Sequence, residues 1–207
     1  MINHKITGLI LSAGKSGRMG KFKPLINYKG KSFLKNVIVN LDTVCSEIII
    51  VTGFNSAELK EKIVNQFENS SELKIKDKLS FVKNPVFEKG MFTSLKTGLS
   101  RANEADWVLY HFVDQPGLPK EFYLDFIGQI DNASNWIQPS YNNWNGHPIL
   151  IKNELFDIIL NRDENSNLRD ISREPVVKKK LWECYYQNVL QDIDTKEDYL
   201  SSLDDFS

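Results

Sequence analysis

Residues 9–23, LILSAGKSGRMGKFK, run from apolar residues into a loop that is rich in glycine and in cations. Glycines free backbone N–H groups to form a concave anion site, and Arg18 and Lys23 can add charge-assisted hydrogen bonds. The loop is not a Walker A motif, because Gly14 and Gly20 enclose five residues instead of four. It reads GxxGxxG, so it does not match the GxGxxG dinucleotide fingerprint either. The loop is therefore either an anion site of another kind or an ordinary exposed turn.

The charged residues are distributed unevenly along the chain. Eight lysines and arginines precede Asp42, which is the first acidic residue. From Gln191 to the end, six acidic residues stand against the single cation Lys196. A site for a polyanion and a metal ion would produce this asymmetry, and so would a solvated surface. Asp114 follows an apolar run, where an isolated aspartate is about as often a turn cap as a metal ligand.

The elements that would position these residues alternate between strands and helices. Six apolar, β-branched runs predict buried strands, at residues 6–11, 47–52, 80–82, 106–113, 136–138 and 149–151. Helical periodicity follows most of them, in stripes that begin at Phe33, Leu59, Phe92, Phe122 and Leu155, and Thr195 with Asp198 opens a last helix. We predict an α/β fold with a doubly wound, mostly parallel sheet flanked by helices, as one domain over residues 1–207.

In such a sheet, ligands bind beyond the carboxyl ends of the strands. Three stretches that could carry chemistry are predicted to lie there, at residues 12–23, 84–94 and 114–116. Their convergence favours a binding site more strongly than any of the three stretches alone.

Composition excludes several classes of protein. The formal net charge of the 207 residues is −1, which argues against a general nucleic-acid binder. Cys45 and Cys184 are far apart in the sequence and form no CxxC pattern, so we expect neither a disulfide nor a structural zinc. We therefore expect a cytoplasmic location. No apolar run approaches the roughly 20 residues of a membrane span, so we expect no membrane partner.

Five ordered motifs carry a resemblance to a known family. Residues 11–25, LSAGKSGRMGKFKPL, resemble the LAAGxSxRMGxxKxL signature of the MobA-like nucleotidyltransferases. NPVFEKGMFTSL at 84–95 is similar to that family's NPxWxxGMxxSL, and DQP at 114–116 to its metal-binding strand end. GHPILI at 146–151 and DIDTKEDY at 192–199 match its later motifs. The resemblance covers nearly the whole chain and is nearest to the molybdenum cofactor cytidylyltransferases, with a Rossmann-like nucleotidyltransferase fold.

The resemblance implies a reaction and a set of functional residues. The implied reaction transfers CMP from CTP to molybdopterin and releases pyrophosphate, with Mg²⁺ as cofactor. The implied catalytic residues are Lys23, Arg18 and Asp114. The implied nucleotide-binding residues are Leu11, Ser12, Ala13, Gly14, Gly17, Arg18, Lys23, Asn84, Gly90 and Ser94. The implied acceptor-binding residues are Met91, Gln115, His147 and Arg169. The implied metal ligands are Asp114 and Asp194, with Asp192 behind them on a carboxy-terminal strand.

Two details bear on the substrates. Ala13 stands where the cytidylyl branch has alanine and the guanylyl branch glycine, which favours CTP over GTP. Many cytidylyltransferases carry GDxGAR after the GHP motif, whereas this chain reads ENSNLR at 164–169 and keeps only the arginine. The product would serve a molybdenum hydroxylase such as xanthine dehydrogenase. A cofactor-binding chaperone and a sugar-phosphate nucleotidyltransferase are the alternatives.

Overall fold

The structure, a computed structural model, describes residues 4–68 and 72–204, without the side chains of Arg18 and Asp204. Its strands are β1 (Ile6–Ser12), β2 (Asn27–Tyr28), β3 (Lys31–Ser32), β4 (Glu47–Thr52), β5 (Leu79–Lys83), β6 (Trp107–Phe112), β7 (Trp136–Tyr141), β8 (Trp144–Asn145), β9 (Ile149–Lys152) and β10 (Lys179–Glu183). Its helices are α1 (Phe33–Leu41), α2 (Ser56–Glu68), α3 (Met91–Leu99), α4 (Lys120–Ile127), α5 (Phe156–Leu160), α6 (Leu168–Ile171) and α7 (Lys196–Asp204).

One sheet organises the molecule, in the order β10-β7-β9-β6-β1-β4-β5. β1 pairs in parallel with β4 and β6, β4 with β5, and β7 with β10. β9 runs antiparallel between β6 and β7, and β8 closes a hairpin on β7. The prediction of a mostly parallel sheet is confirmed, and β2 and β3 form a separate two-stranded hairpin.

Helices cover both faces of this sheet, as the sequence predicts. α1, α2 and α4 pack on one face, where Ile10, Ile50 and Leu109 point into the core. α3 and α5 pack on the other face, against Leu9 and Val51. Every residue of β1 is buried, because it is a central strand that is covered on both sides. None of the described helices combines the length and apolar character that a membrane crossing requires.

Two glycines allow close packing around the end of β1. A Cβ at Gly98 in α3 would lie 2.2 Å from Leu9 Cδ1, so only glycine lets this helix lie so close to β1. A Cβ at Gly53 would lie 2.5 Å from Phe87 Cγ and 2.7 Å from the Ala13 carbonyl oxygen. The turn after β4 can therefore close over the end of β1, where Phe54 N donates to Ala13 O at 3.0 Å.

The structure differs from the sequence predictions at several elements. The sequence analysis does not predict β10 or α6. The carboxy-terminal strand expected to carry Asp192 and Asp194 is absent from the described chain, because β10 ends at Glu183 and residues 191–195 are irregular. That segment is held by Ile193 N, which donates to Asp114 O at 2.9 Å.

Candidate active site

A cleft of about 330 Å³ opens beyond the carboxyl ends of β1 and β6, and we refer to it as the β1 cleft. It is lined by Leu11, Ser12, Ala13, Gly14, Ser16, Gly17, Met19, Lys23, Pro24, Phe87, Met91, Ser94, Phe112, Val113, Asp114 and Asp194. Ten of these residues carry roles implied by the sequence motifs. The expected convergence of the three chemistry-bearing stretches at one sheet edge is therefore what the fold produces.

An ion cluster of three residues, here the Lys23 cluster, stands in this cleft. Lys23 Nζ lies 2.6 Å from Asp194 Oδ1 and 3.3 Å from Asp114 Oδ2. The lysine side chain is 10% exposed, against 24% for Asp114 and 31% for Asp194. A buried ammonium between two carboxylates balances part of their charge in a poorly solvated place. The cluster therefore concentrates one cation and two hard oxygen ligands at one point.

Local structure fixes each member of the Lys23 cluster. Lys23 opens a short 3-10 helix, Lys23–Leu25, and its backbone N–H donates to Ser16 Oγ at 3.1 Å. Asp114 stands in the turn directly after β6. Asp194 is anchored by its backbone N–H, which donates to Asp198 Oδ2 at 3.0 Å. Asp198 opens α7, so this helix holds the last carboxylate against the sheet.

The electrostatics of Asp114 suit a ligand for a cation. Burial raises the pKa of Asp114, while the nearby Lys23 ammonium opposes that rise. Asp114 Oδ1 is buried and has no hydrogen-bond partner among the described residues. A buried carboxylate oxygen without a partner is costly unless a ligand or ion satisfies it. Two carboxylates with a spare oxygen fit a Mg²⁺ or Mn²⁺ ion that also binds phosphate oxygens.

Asp192 lies close enough to the Lys23 cluster for its carboxyl to interact with the charges of all three members. Burial of its carboxyl, together with the negative charges of Asp114 and Asp194, raises the pKa of Asp192 to about 6, although the residue as a whole is exposed. Asp192 is not among the residues that line the β1 cleft. In the described part of the chain, no group of three or more His, Cys, Asp or Glu side chains forms a protein-only metal site. Any metal here would rely on ligands from the substrate.

The glycine-rich loop wraps around the cleft in an unusual backbone conformation. Ser16 and Gly20 both adopt left-handed φ angles, 56° and 61°, on either side of the 3-10 helix Gly17–Met19. Lys15 turns away from the cleft and pairs with Glu88, and Lys21 is exposed outside the lining. Both cations therefore belong to the solvated surface. The side chain of Arg18, which the motif assigns to the phosphates, lies outside the described residues.

The segment from 84 to 94 supports the cleft from the α3 side. Asn84 is fully buried, and its amide donates to Thr93 Oγ1 at 2.8 Å and to Ser94 Oγ at 3.0 Å. The sequence motif implies nucleotide contact for Asn84, but in this structure the residue positions α3 and is not in contact with the cleft. Gly90, with φ 117°, precedes the first turn of α3 as predicted, and Ser94 lines the cleft.

The residues implied to bind the acceptor do not form one group. Met91 is 58% exposed and lines the β1 cleft. Gln115 is buried, and its amide donates to Val189 O at 3.3 Å. The His147 ring lies 4.6 Å from the Phe112 ring, and burial lowers the pKa of His147 to about 4. Arg169 is exposed on α6 and lies outside the lining of the cleft.

Several lining residues are given no role by the sequence analysis, although Ser16 occupies the fixed serine of the LAAGxSxRMG signature. Ser16 receives the Lys23 backbone N–H, and Phe87 and Phe112 supply apolar walls. Phe87 lies within the NPVFEKGM stretch, so the motif includes its position. Its ring lies beside Ala13 because Gly53 has no side chain and allows the close approach. Phe112 precedes Asp114 by two residues, and its apolar character alone indicates no more than a buried strand.

Comparisons with known proteins agree with this geometry. Residues 8–180 match the family model described as the MobA-like NTP transferase domain. The molybdenum cofactor cytidylyltransferase of Escherichia coli K12 is 26% identical over 196 residues, which cover 94% of this chain and 93% of that protein. A probable molybdenum cofactor guanylyltransferase of Bacillus cereus AH820 is 21% identical, with 98% of both chains covered. Among solved structures, Rv0371c of Mycobacterium tuberculosis H37Rv in complex with manganese superimposes with a TM-score of 0.71 at 18% identity, covering 97% of this chain and 99% of that one.

Proposed function

The chain belongs to the MobA-like NTP transferase family, and we propose that it transfers CMP from CTP to molybdopterin in a Mg²⁺-dependent reaction. In this reaction an oxygen of the acceptor phosphate attacks the α-phosphorus of CTP. The new P–O bond forms as the bond to the β-phosphate oxygen breaks, and pyrophosphate leaves with the electron pair. The observation that carries the proposal is the Lys23 cluster in the β1 cleft, which places a buried ammonium beside two carboxylates.

The chain would accelerate this step by positioning the phosphates and by stabilising their charge. Lys23 donates to a phosphate oxygen as negative charge develops, and its burial strengthens that interaction relative to one in bulk water. Backbone N–H groups of the loop from Gly14 to Gly17 donate to the remaining phosphate oxygens, and Arg18 adds a further cation. Lys15 and Lys21 take no part.

Asp114 and Asp194 are the residues that would hold the metal ion, and the unpartnered Asp114 Oδ1 fits this assignment. The ion would supply Lewis-acid charge stabilisation at the phosphates. The manganese complex of the Mycobacterium tuberculosis neighbour gives independent support for a divalent ion in this fold. Asp192, outside the cleft lining, modulates the local charge without contacting the ion.

Ala13 supports the choice of CTP. Its carbonyl oxygen is held by Phe54 N, so its backbone cannot withdraw to make room for a larger base. Its methyl group lines the β1 cleft, where a glycine would leave space. The curated relative from Escherichia coli is a cytidylyltransferase and that from Bacillus cereus a probable guanylyltransferase, so the family contains both specificities. The product would be handed to a molybdenum hydroxylase such as xanthine dehydrogenase.

The reaction is tested with [α-³²P]CTP or [α-³²P]GTP, molybdopterin and Mg²⁺, with pyrophosphate release and labelled product as readouts. We expect label in the product from CTP in preference to GTP, and no turnover after chelation of the metal. Binding of finished cofactor without pyrophosphate release would replace the transferase with a cofactor carrier.

A further inference from the structure

A second cavity, of about 270 Å³, lies beside the β1 cleft between the start of α3 and the loop before α6. Met91 lines both spaces, so the two adjoin at this residue. Part of the wall is formed by residues 164–168, Glu164 to Leu168. This is the segment where the chain reads ENSNL instead of the first five positions of the family's GDxGAR pattern.

The second cavity is close to neutral, unlike the cleft beside it. Among the described residues, the charged side chains that line it are Lys89 and Glu164, and they pair with each other at 2.7 Å. Its other polar lining residues are Tyr110, Asn165, Ser166 and Asn167, of which Asn167 already bonds to Asp170 as the N-cap of α6. A phosphate in such a place would lack a cation of its own, whereas an uncharged ring with hydrogen-bonding edges would find donors and acceptors.

Tyr110 provides a preorganised hydrogen-bonding group in this cavity. The residue is 2% exposed, and its ring is held edge-on by Phe112 at 5.0 Å and by His147 at 6.4 Å between centroids. Its hydroxyl makes no hydrogen bond to any described residue. Burial raises the pKa of Tyr110, so the hydroxyl keeps its proton and remains a donor. A hydroxyl that is held in place and has no partner in the protein discriminates strongly between ligands, because a ligand that cannot bond to it leaves it unpaired.

We propose that the second cavity binds the uncharged heterocyclic ring of the acceptor, with the Tyr110 hydroxyl and the Asn165 and Ser166 side chains as its polar contacts. The inference rests on the proposed function and assigns the part of the acceptor that the β1 cleft does not hold. Tyr110 precedes Asp114 by four residues, a span of at most roughly 14 Å. A single acceptor can therefore place its ring at Tyr110 and its phosphate at the Lys23 cluster. The altered loop is then what selects the acceptor.

The test separates acceptor binding from nucleotide binding. Tyr110→Phe should raise the KM for molybdopterin about 3- to 10-fold, as expected for one lost neutral hydrogen bond, and leave the Kd for CTP unchanged. Ser166→Trp, which fills the cavity, should raise the KM for molybdopterin further, again with an unchanged Kd for CTP. Tyr141→Phe is the matched control, because this half-buried tyrosine lies on β7 outside both cavities. Circular dichroism and Tm establish that each variant is folded.

An unchanged KM for molybdopterin in folded Tyr110→Phe and Ser166→Trp, with normal turnover by the unaltered protein, would overturn this inference and leave the transferase intact. A parallel rise of the KM for molybdopterin and the Kd for CTP would overturn it too, because the effect would then be on the fold. Absence of turnover by the unaltered protein would remove both the proposed function and this inference.

Discussion

The β1 cleft and the second cavity adjoin at Met91, yet they are built in different ways. The cleft draws its charges from three distant segments of the chain, at Lys23, Asp114 and Asp194, and pairs them in a poorly solvated place. The second cavity takes its polar groups mostly from one short loop, and its single ion pair, Lys89 with Glu164, is solvent-exposed. In the proposed reaction, the phosphate chemistry would depend on a few buried, mutually fixed charges. Recognition of the acceptor would depend on neutral groups on a loop that can change without disturbing those charges.

The largest effect should come from Asp114, the proposed metal ligand of the cleft. Asp114→Asn keeps the shape of the side chain and removes its charge, so we expect turnover to fall by at least roughly 100-fold. Asp194→Asn should act similarly, and Asp192→Asn, outside the cleft lining, should be milder. Metal-dependent pyrophosphate release and Mn²⁺ binding are the measurements. Full activity in Asp114→Asn would show that the reaction needs no metal ion at this carboxylate. The proposed functional difference between the β1 cleft and the second cavity would then be lost.

The next effect distinguishes the roles of the individual cations in the glycine-rich loop. Lys23→Ala removes a charge-assisted contact worth about 1.5–3 kcal/mol, which corresponds to roughly 10- to 150-fold in kcat/KM for CTP. Lys21→Ala serves as the control, because Lys21 is exposed outside the cleft and should have little effect. Equal damage from both substitutions would mean that the loop acts through its overall charge and not through one buried ammonium.

A somewhat smaller effect should distinguish the nucleotides. Ala13→Gly removes a methyl group from the wall of the cleft and should relax the preference for CTP over GTP by about 1–3 kcal/mol. The ratio of kcat/KM for the two nucleotides measures this change, with the shift in Tm on adding each nucleotide as a second readout. If the native protein is stabilised equally by CTP and GTP, Ala13 does not choose the base.

The smallest effect is on stability and concerns His147, whose ring lies beside those of Phe112 and Tyr110. The pKa of His147 is lowered to about 4 by burial, from about 6.5 in an unfolded chain. The unfolded state therefore binds more protons between these values, and stability falls as the pH drops from 6.5 towards 4. His147→Gln should lessen the loss of unfolding free energy between pH 7.5 and pH 5 by about 1–2 kcal/mol. Urea unfolding at both pH values measures it, and an identical loss in the variant would mean that His147 titrates normally.

The sequence predicted the cleft better than the second cavity, and the reason is physical. Lys23 and Asp114 stand at strand ends in short motifs, and a parallel sheet brings strand ends together whatever the details of packing. Asp194 lies in the cleft, where the motif implies a metal ligand, but on an irregular segment instead of the expected strand, because that segment is held by Ile193 and Asp198 and not by a sheet ladder. Asn84 shows that a motif residue can have a structural role, because its side-chain amide donates to Thr93 and Ser94 inside the protein.

The second cavity has no such signature. Tyr110 occupies an ordinary position in a buried strand, and residues 164–168 show no periodicity that would place them opposite it. Only the packing of α3 and α5 on the same face of the sheet brings the two together. β10 is not predicted for a related reason. Its residues alternate between exposed and half-buried, and it begins with Lys179 and Lys180 instead of an apolar run.

The Lys23 cluster also has a consequence for the timing of biosynthesis. Lys23 and Asp194 are 171 positions apart, and the last strand of the sheet ends at Glu183. A nascent chain that has emerged from the ribosome as far as Glu183 contains every strand of the sheet but lacks one of the two carboxylates that balance Lys23. The candidate active site is therefore completed after the last strand, by a segment that also adds Val189 and Ile193 to the core.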